Sequence, residues 1–418
     1  ERNESGGRLM DAKLVTVGGL RTLFVPCEAE SVAVGLFVGS GSRHEPAKWA
    51  GISHLIEHML FKGTPTRSAL DITRAVEGRG GNFNAWTSED ATCFYAHLPC
   101  EYLDEAVDIL ADMYLNAALA PEEFAREREV VLEEIKMYED DPGAVAAENL
   151  QRALFPLNPV GAPVAGSPET LNAFTPGILR DYIATHYTTA TTVLVVAGRF
   201  AEADAVNLVA NAFRAVRSRR ARKLAFKKVD LSRPPVSEVF VAKDVKQTQL
   251  ALGYRTFGIE DPRRYAATVL DAVLGRGMSS RLFQEVREKR GLSYDISSRL
   301  QFFQDAGMFT ISAGLDARQV KPALDTIDRE LKRLAAKNVG AAELKRTKEF
   351  LVGNFRLSHE RVTSKMFYYG AMMLSRGCLV DPEAEIAGVR AVTADEVRAV
   401  AREIFTPGNR SLSRVDPK

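Results

Sequence analysis

The sequence has no excess of either charge. Lys and Arg number 55 against 54 Asp and Glu, a formal net charge of +1. Bulk electrostatics therefore make no case for nucleic acid or an anionic membrane as partner. No apolar run reaches the roughly 18 to 20 residues that cross a bilayer, and residues 1–13 lack the apolar segment of a signal peptide. The bacterial cytoplasm is the expected compartment. Because the first residue is Glu1, the periplasm or the mitochondrial matrix, reached with a targeting segment since removed, stands as the alternative. Cysteine is scarce: Cys27, Cys93, Cys100 and Cys378 are scattered and show no C-x-x-C spacing. That argues against a disulfide framework and reads as free thiols, small buried hydrophobes in a reducing compartment.

What is present is an ordinary globular composition, 46% hydrophobic and 26% charged over 418 residues, with room for two domains of roughly 200 residues each. The two halves echo each other. The strand-like runs 31–41 and 248–258 are each followed by helical stretches and then by β-rich runs, 91–98 and 307–315. Helical pairs come next, 101–116 with 121–140 and 318–336 with 341–359. The first half closes on the strand 191–198, the second on the helix 393–405 and a short strand-like tail. This order predicts an α+β fold of two homologous domains, each a mostly antiparallel sheet with helices packed on one face. The expected boundaries are 1–215 and 236–418, joined by a basic, proline-containing linker at 216–235 that reads as a solvated connector.

Chemistry concentrates in "GISHLIEHMLFKG", where His54, Glu57 and His58 interrupt Leu55, Ile56, Met59, Leu60 and Phe61. Polar groups on a helix this apolar must find partners. Residues four apart on a helix lie within about 40° of each other, so His54 and His58 project side by side and can grip one ion. Neutral imidazoles at this spacing suit Zn²⁺, with the Glu57 carboxylate close enough to take a proton from water. The ordinary alternative, two core histidines bonded to backbone carbonyls, does not account for the glutamate between them. Gly63, Thr64 and Pro65 then supply a helix stop. A catalytic zinc usually keeps a third protein ligand. In the helical run 121–141, Phe124, Val131 and Tyr138 recur every seven residues, and Glu127 and Glu134 flank that stripe. Glu129 and Glu133 point elsewhere. Helix geometry favours Glu134 over Glu133 without settling the choice.

Together these residues resemble the M16 family of zinc metallopeptidases, the group of pitrilysin, insulin-degrading enzyme and mitochondrial processing peptidase. That family places a ligand glutamate 76 positions after the second histidine, which here is Glu134, and an auxiliary acid seven residues earlier, here Glu127. The resemblance implies that His54, His58 and Glu134 bind zinc and that Glu57 is the general base. It extends to "VREKRGLSYD", where Arg287 and Tyr294 match a pair that contacts substrate, and to "GGNFNAWTSEDATCFYAHL". That stretch looks like a substrate-binding edge strand with Asn84 and Ala85 in contact with an extended peptide. One departure is the threonine-rich "HYTTATTVLVVAG", where relatives often have Pro and Asn, which leaves the local turn open.

The implied function is zinc-dependent endopeptidase action on unfolded peptides or presequences inside a closed chamber. A chain of two such domains implies pairing as a homodimer, or as a heterodimer with a related subunit. Non-catalytic scaffold subunits of larger complexes are the alternative within the same family. The intact His54, Glu57, His58 and Glu134 set speaks against it.

Overall fold

The computed structural model describes residues 12–216 and 224–418. Positions 217–223 of the expected linker lie outside the described residues, and 224–230 have no regular structure. Strands are β1 (Lys13–Val17), β2 (Leu20–Pro26), β3 (Ser31–Val38), β4 (Asn82–Thr87), β5 (Thr92–Pro99), β6 (Thr192–Gly198), β7 (Glu238–Lys243), β8 (Thr248–Thr256), β9 (Ser293–Phe302), β10 (Gly307–Leu315) and β11 (Arg410–Pro417). The helices used below are α1 (Ile52–Leu60), α2 (Leu103–Asn116), α3 (Pro121–Asp140), α4 (Pro142–Leu154), α5 (Pro176–His186), α6 (Arg264–Gly275), α7 (Val320–Ala336), α8 (Ala341–Ser358), α9 (Val362–Arg376) and α10 (Ala394–Ile404). Among the described residues no helix is long and apolar enough to cross a membrane.

The strands form two sheets, ordered β1-β2-β6-β3-β5-β4 and β7-β11-β8-β10-β9. Apart from β1, the orders correspond strand for strand. In each, the late strand (β6 or β11) inserts centrally, parallel to one neighbour and antiparallel to the other. All other pairings are antiparallel. Both sheets are therefore mostly antiparallel, as expected, with one parallel pair each. The tail strand Arg410–Pro417 is interior, although it read from sequence as a short appendage.

Helices cover both faces of each sheet, which corrects the expectation of one. β3 and β6 are apolar without alternation and buried along nearly their whole length, the mark of a strand covered on both sides. Ala33, Phe37, Val193, Val195 and Ala197 pack against Val362, Met366, Tyr369 and Met373 of α9. In the second sheet, Ala251 and Val415 pack against Ala146, Leu150 and Leu154 of α4. The opposite face of that sheet, with Leu250, Leu252, Phe309 and Ile311, meets α6, α7 and α10. These helices redraw the boundaries. Among the described residues, one compact unit comprises 12–132, 163–216, 224–226 and 356–385, the other 133–162, 227–355 and 386–418, in place of the contiguous 1–215 and 236–418. The physical reason is that α4 and α9 bury their apolar faces on the sheet built by the other half of the chain.

Glycine permits these close approaches. A Cβ at Gly370 on α9 would lie 2.4 Å from the buried Phe37 ring, and one at Gly35 2.7 Å from Met366 Sδ. At Gly253 it would lie 2.9 Å from Leu150 and Leu154. A methyl group in a helix interior normally adds ~1 kcal/mol over glycine. Gly353 on α8 has nothing within 4 Å of its would-be Cβ, so Gly353→Ala is expected to stabilise by up to ~1 kcal/mol. Gly370→Ala should instead destabilise by roughly 1–3 kcal/mol through overpacking. Urea unfolding midpoints of the two variants check the opposite signs.

Candidate metal centre

In α1, Ile52, Ser53, Leu55, Ile56, Met59 and Leu60 are fully buried, and only His54, Glu57 and His58 are half-open. The helix ends at Leu60, and Gly63 follows at φ 104°, so the sequence stop signal marks its end to within a turn. The two imidazole rings lie 4.8 Å apart, centroid to centroid.

Glu134 joins them from α3, an unbroken helix from Pro121 to Asp140. One ligand atom from each of His54, His58 and Glu134 lies within 4.8 Å of the other two. Glu133 is 71% exposed and pairs with Lys136 at 2.7 Å, and Glu129 pairs with Arg128 at 3.1 Å. The structure thus brings Glu134, and neither neighbour, to the histidines. Of the predicted apolar stripe, Phe124 and Val131 are buried but Tyr138 is exposed.

Glu127 sits behind the centre. Its Oε2 is 3.2 Å from His58 Nδ1 and its Oε1 2.7 Å from Lys62 Nζ. This contact orients the ring and directs Nε2 of His58 as the available ligand atom, the carboxylate–imidazole arrangement common behind metal-bound histidines. Burial, with the charge of His58 second, pushes the His54 imidazole down to about 4. Near neutral pH His54 is therefore the neutral species a metal requires. Two imidazoles and a carboxylate at these separations fit a tetrahedral zinc site with one position left for water.

Three side chains that sequence reasoning missed, Glu45, Asp112 and Thr87, hold α1 in place. Both oxygens of buried Glu45 accept backbone amides at the helix start, Gly51 N at Oε2 and Ser53 N at Oε1, each at 2.8 Å. Beyond the helix, Asp112 accepts Thr64 Oγ1 at 2.7 Å, Arg67 Nη1 at 2.6 Å and Thr66 Oγ1 at 3.1 Å. Thr87 Oγ1 donates to Glu57 Oε2 at 2.5 Å. None of these leaves a periodic trace in the sequence. An acid shortly before an amphipathic helix is the one hint for Glu45.

The remaining candidates are placed as follows. Asn84 and Ala85 lie on β4, the edge of the first sheet, where Asn84 Oδ1 accepts the Ala85 amide at 2.8 Å. The Arg287 guanidinium lies 4.9 Å from the Tyr294 ring centre and 4.6 Å from that of Phe283. Arg287 falls in a π-helical turn, Phe283–Glu288, and Tyr294 is 81% exposed. The threonine-rich turn closes on itself: Thr191 Oγ1 donates to His186 O at 2.5 Å, and Thr188 N donates to Thr191 Oγ1 at 3.2 Å. The four cysteines are free, but only Cys93 is fully buried and Cys378 is exposed.

Burial pushes the Glu45 carboxyl up to about 7, against the lowering effect of its hydrogen bonds with Ser53 and Gly51. Between about 4.5 and about 7 the folded state thus retains a proton that the unfolded chain has lost, so this group's contribution to stability falls as pH rises through that window. Glu45→Gln removes the dependence. The stability of the variant relative to wild type should rise by on the order of 1–3 kcal/mol between about pH 4.5 and about pH 8, read from urea midpoints. His44 and His54, both held near 4, change stability in the opposite sense and in both proteins alike.

Comparison with known proteins identifies the family. Residues 26–168 match the family model described as insulinase, peptidase family M16, and 173–351 match the one described as peptidase M16 inactive domain. All the residues of the candidate metal centre lie in the first. An uncharacterized zinc protease of Mycobacterium bovis is 39% identical over 395 residues, covering 93% of this chain and 89% of that protein. One from Bacillus subtilis is 36% identical, covering 90% and 91%. Among solved structures, a protease from Helicobacter pylori superposes with TM-score 0.93 at 22% identity, covering 98% of this chain and all of that one. These matches, reached independently of the site geometry, show that the chain belongs to peptidase family M16.

Proposed function

We propose that this protein is a zinc-dependent endopeptidase that hydrolyses internal bonds of unfolded peptides. The observation that carries the reading is the convergence of His54, His58 and Glu134, with Glu57 on the same open strip of α1. A zinc ion held by these three side chains supplies Lewis acidity toward water and the scissile carbonyl. Glu57 takes the proton of the attacking water and returns it to the leaving amine, general base and then general acid. Glu127 holds the His58 ring through Nδ1. Asn84 and Ala85 on the open edge of β4 offer backbone and side-chain partners to a peptide adding as a further strand, a mode of binding that tolerates many sequences. Arg287 and Tyr294, held together by their cation–π contact, are suited to main-chain or carboxylate groups of a peptide.

Glu57→Gln keeps shape and loses basicity, so it is expected to retain zinc while peptide turnover falls about 10²- to 10⁴-fold. Glu134→Gln serves as the contrast and should lose zinc to mild chelation. Metal analysis beside a quenched-peptide assay checks both. Near-normal turnover in zinc-replete Glu57→Gln protein would remove Glu57 as base.

We propose further that the working form is a pair of identical subunits, because one chain carries both the zinc-binding set and the Arg287–Tyr294 pair. Closed two-fold pairing is the commonest oligomer. If each site takes residues from both subunits, mixing Glu57→Gln with Arg287→Ala protein should restore up to about a quarter of wild-type activity, since about half the dimers are mixed and each has one intact site. No recovery after proven subunit exchange overturns the shared site.

A further inference from the structure

Glu57 carries the proton in the proposed reaction, yet a glutamate has three rotatable bonds and its helix fixes only the first of them well. Something must hold the carboxylate. Thr87 Oγ1 lies 2.5 Å from Glu57 Oε2, within the short range of hydroxyl–carboxylate bonds. An ionised carboxylate only accepts, so the threonine is the donor.

The threonine is itself held firmly. It is the last residue of β4, paired in register with Thr92 of β5. The turn beyond it is fastened to the loop that enters α1. Ser42 N donates to Ser88 O and Arg43 N to Glu89 O, both at 3.0 Å. The buried Arg43 guanidinium meets Asp90 at 3.0 Å and lies 3.9 Å from the Phe226 ring centre. Two residues after Arg43, Glu45 caps the helix that carries Glu57. Thr87 and Glu57 are thus fixed to one common support, and the bond between them is not a chance meeting of two loose side chains.

We propose that Thr87 is a positioning residue for the general base, and that through it the edge strand β4, where a peptide would add, is tied to the carboxylate that moves the proton. The inference rests on the peptidase reading above. Binding at the edge orders the same strand whose end holds Glu57, so substrate engagement and base alignment share one element.

The test uses the zinc-loaded full chain as wild type, Thr87→Val and Thr87→Ser, with Thr87→Ala in place of Val should that variant not fold. Valine keeps the shape and removes the donor, and serine restores it. The expected result for Val is full zinc content, kcat lowered about tenfold and KM within about twofold, since misplacing a reacting group costs turnover more than binding. Serine should return kcat to within about twofold of wild type. Crystal structures of wild type and Val give a second readout that does not depend on turnover: Glu57 should leave its wild-type rotamer in Val. An unmoved Glu57, a loss confined to KM, or failure of serine to rescue would each overturn the proposal. If zinc-loaded wild type cleaves no peptide, the peptidase reading fails, while the crystallographic arm still decides whether Thr87 holds Glu57.

Discussion

A helix buried on most of its surface carries three ionisable groups, and the site is built around that constraint. Six of the nine residues of α1 are fully buried, so the strip bearing His54, Glu57 and His58 is the only part that can meet a ligand. Side chains on such a strip converge on one point only if the helix neither slides nor rotates. Three acids prevent this: Glu45 at its start, Asp112 beyond its end, and Glu127 against the His58 ring and Lys62. Each is desolvated, and each is satisfied by several donors, which is the condition on which buried carboxylates are tolerated. The imidazoles of the candidate centre are aligned by residues that lie outside it.

Local pattern carried much of this into the sequence. The spacing of His54 and His58, the glutamate between them and the seven-residue repeat of Glu127 and Glu134 are properties of a single helix each, so they are visible in one dimension. The choice between Glu134 and Glu133 needed family spacing, because neighbours on a wheel differ by an angle that a sequence does not orient. The structure adds the reason that Glu133 belongs outside: it is 71% exposed and paired with Lys136.

Contacts between elements were not legible. Thr87 reaches Glu57 across thirty residues, and nothing in "AWTSED" announces it. The helices on the second sheet faces were missed for another reason. The unbroken apolar runs of β3 and β6 stated that both faces are covered, but did not say by what, and α9 lies far along the chain. β1 is short and mostly exposed, β2 is largely buried without alternation, and β7 has every other residue exposed although its composition does not alternate. They are defined by the partners they join rather than by their own composition.

The crossing-over of α4 and α9 bears on how the chain is made. Residues 12–216 contain every strand of the first sheet, yet the helix that covers one face of it begins at Val362. While the chain is being synthesised, that apolar face stays bare from the emergence of β6, which ends at Gly198, until Val362–Arg376 has followed. The α4 face is in the reverse position, exposed early and waiting for a sheet that closes only with β11, Arg410–Pro417. Neither half can reach its final state as a separate folding unit, and contacts that close such long loops form slowly. Nascent chains of this protein therefore carry uncovered hydrophobic surface until these later elements have emerged, the circumstance in which aggregation competes and chaperones are engaged.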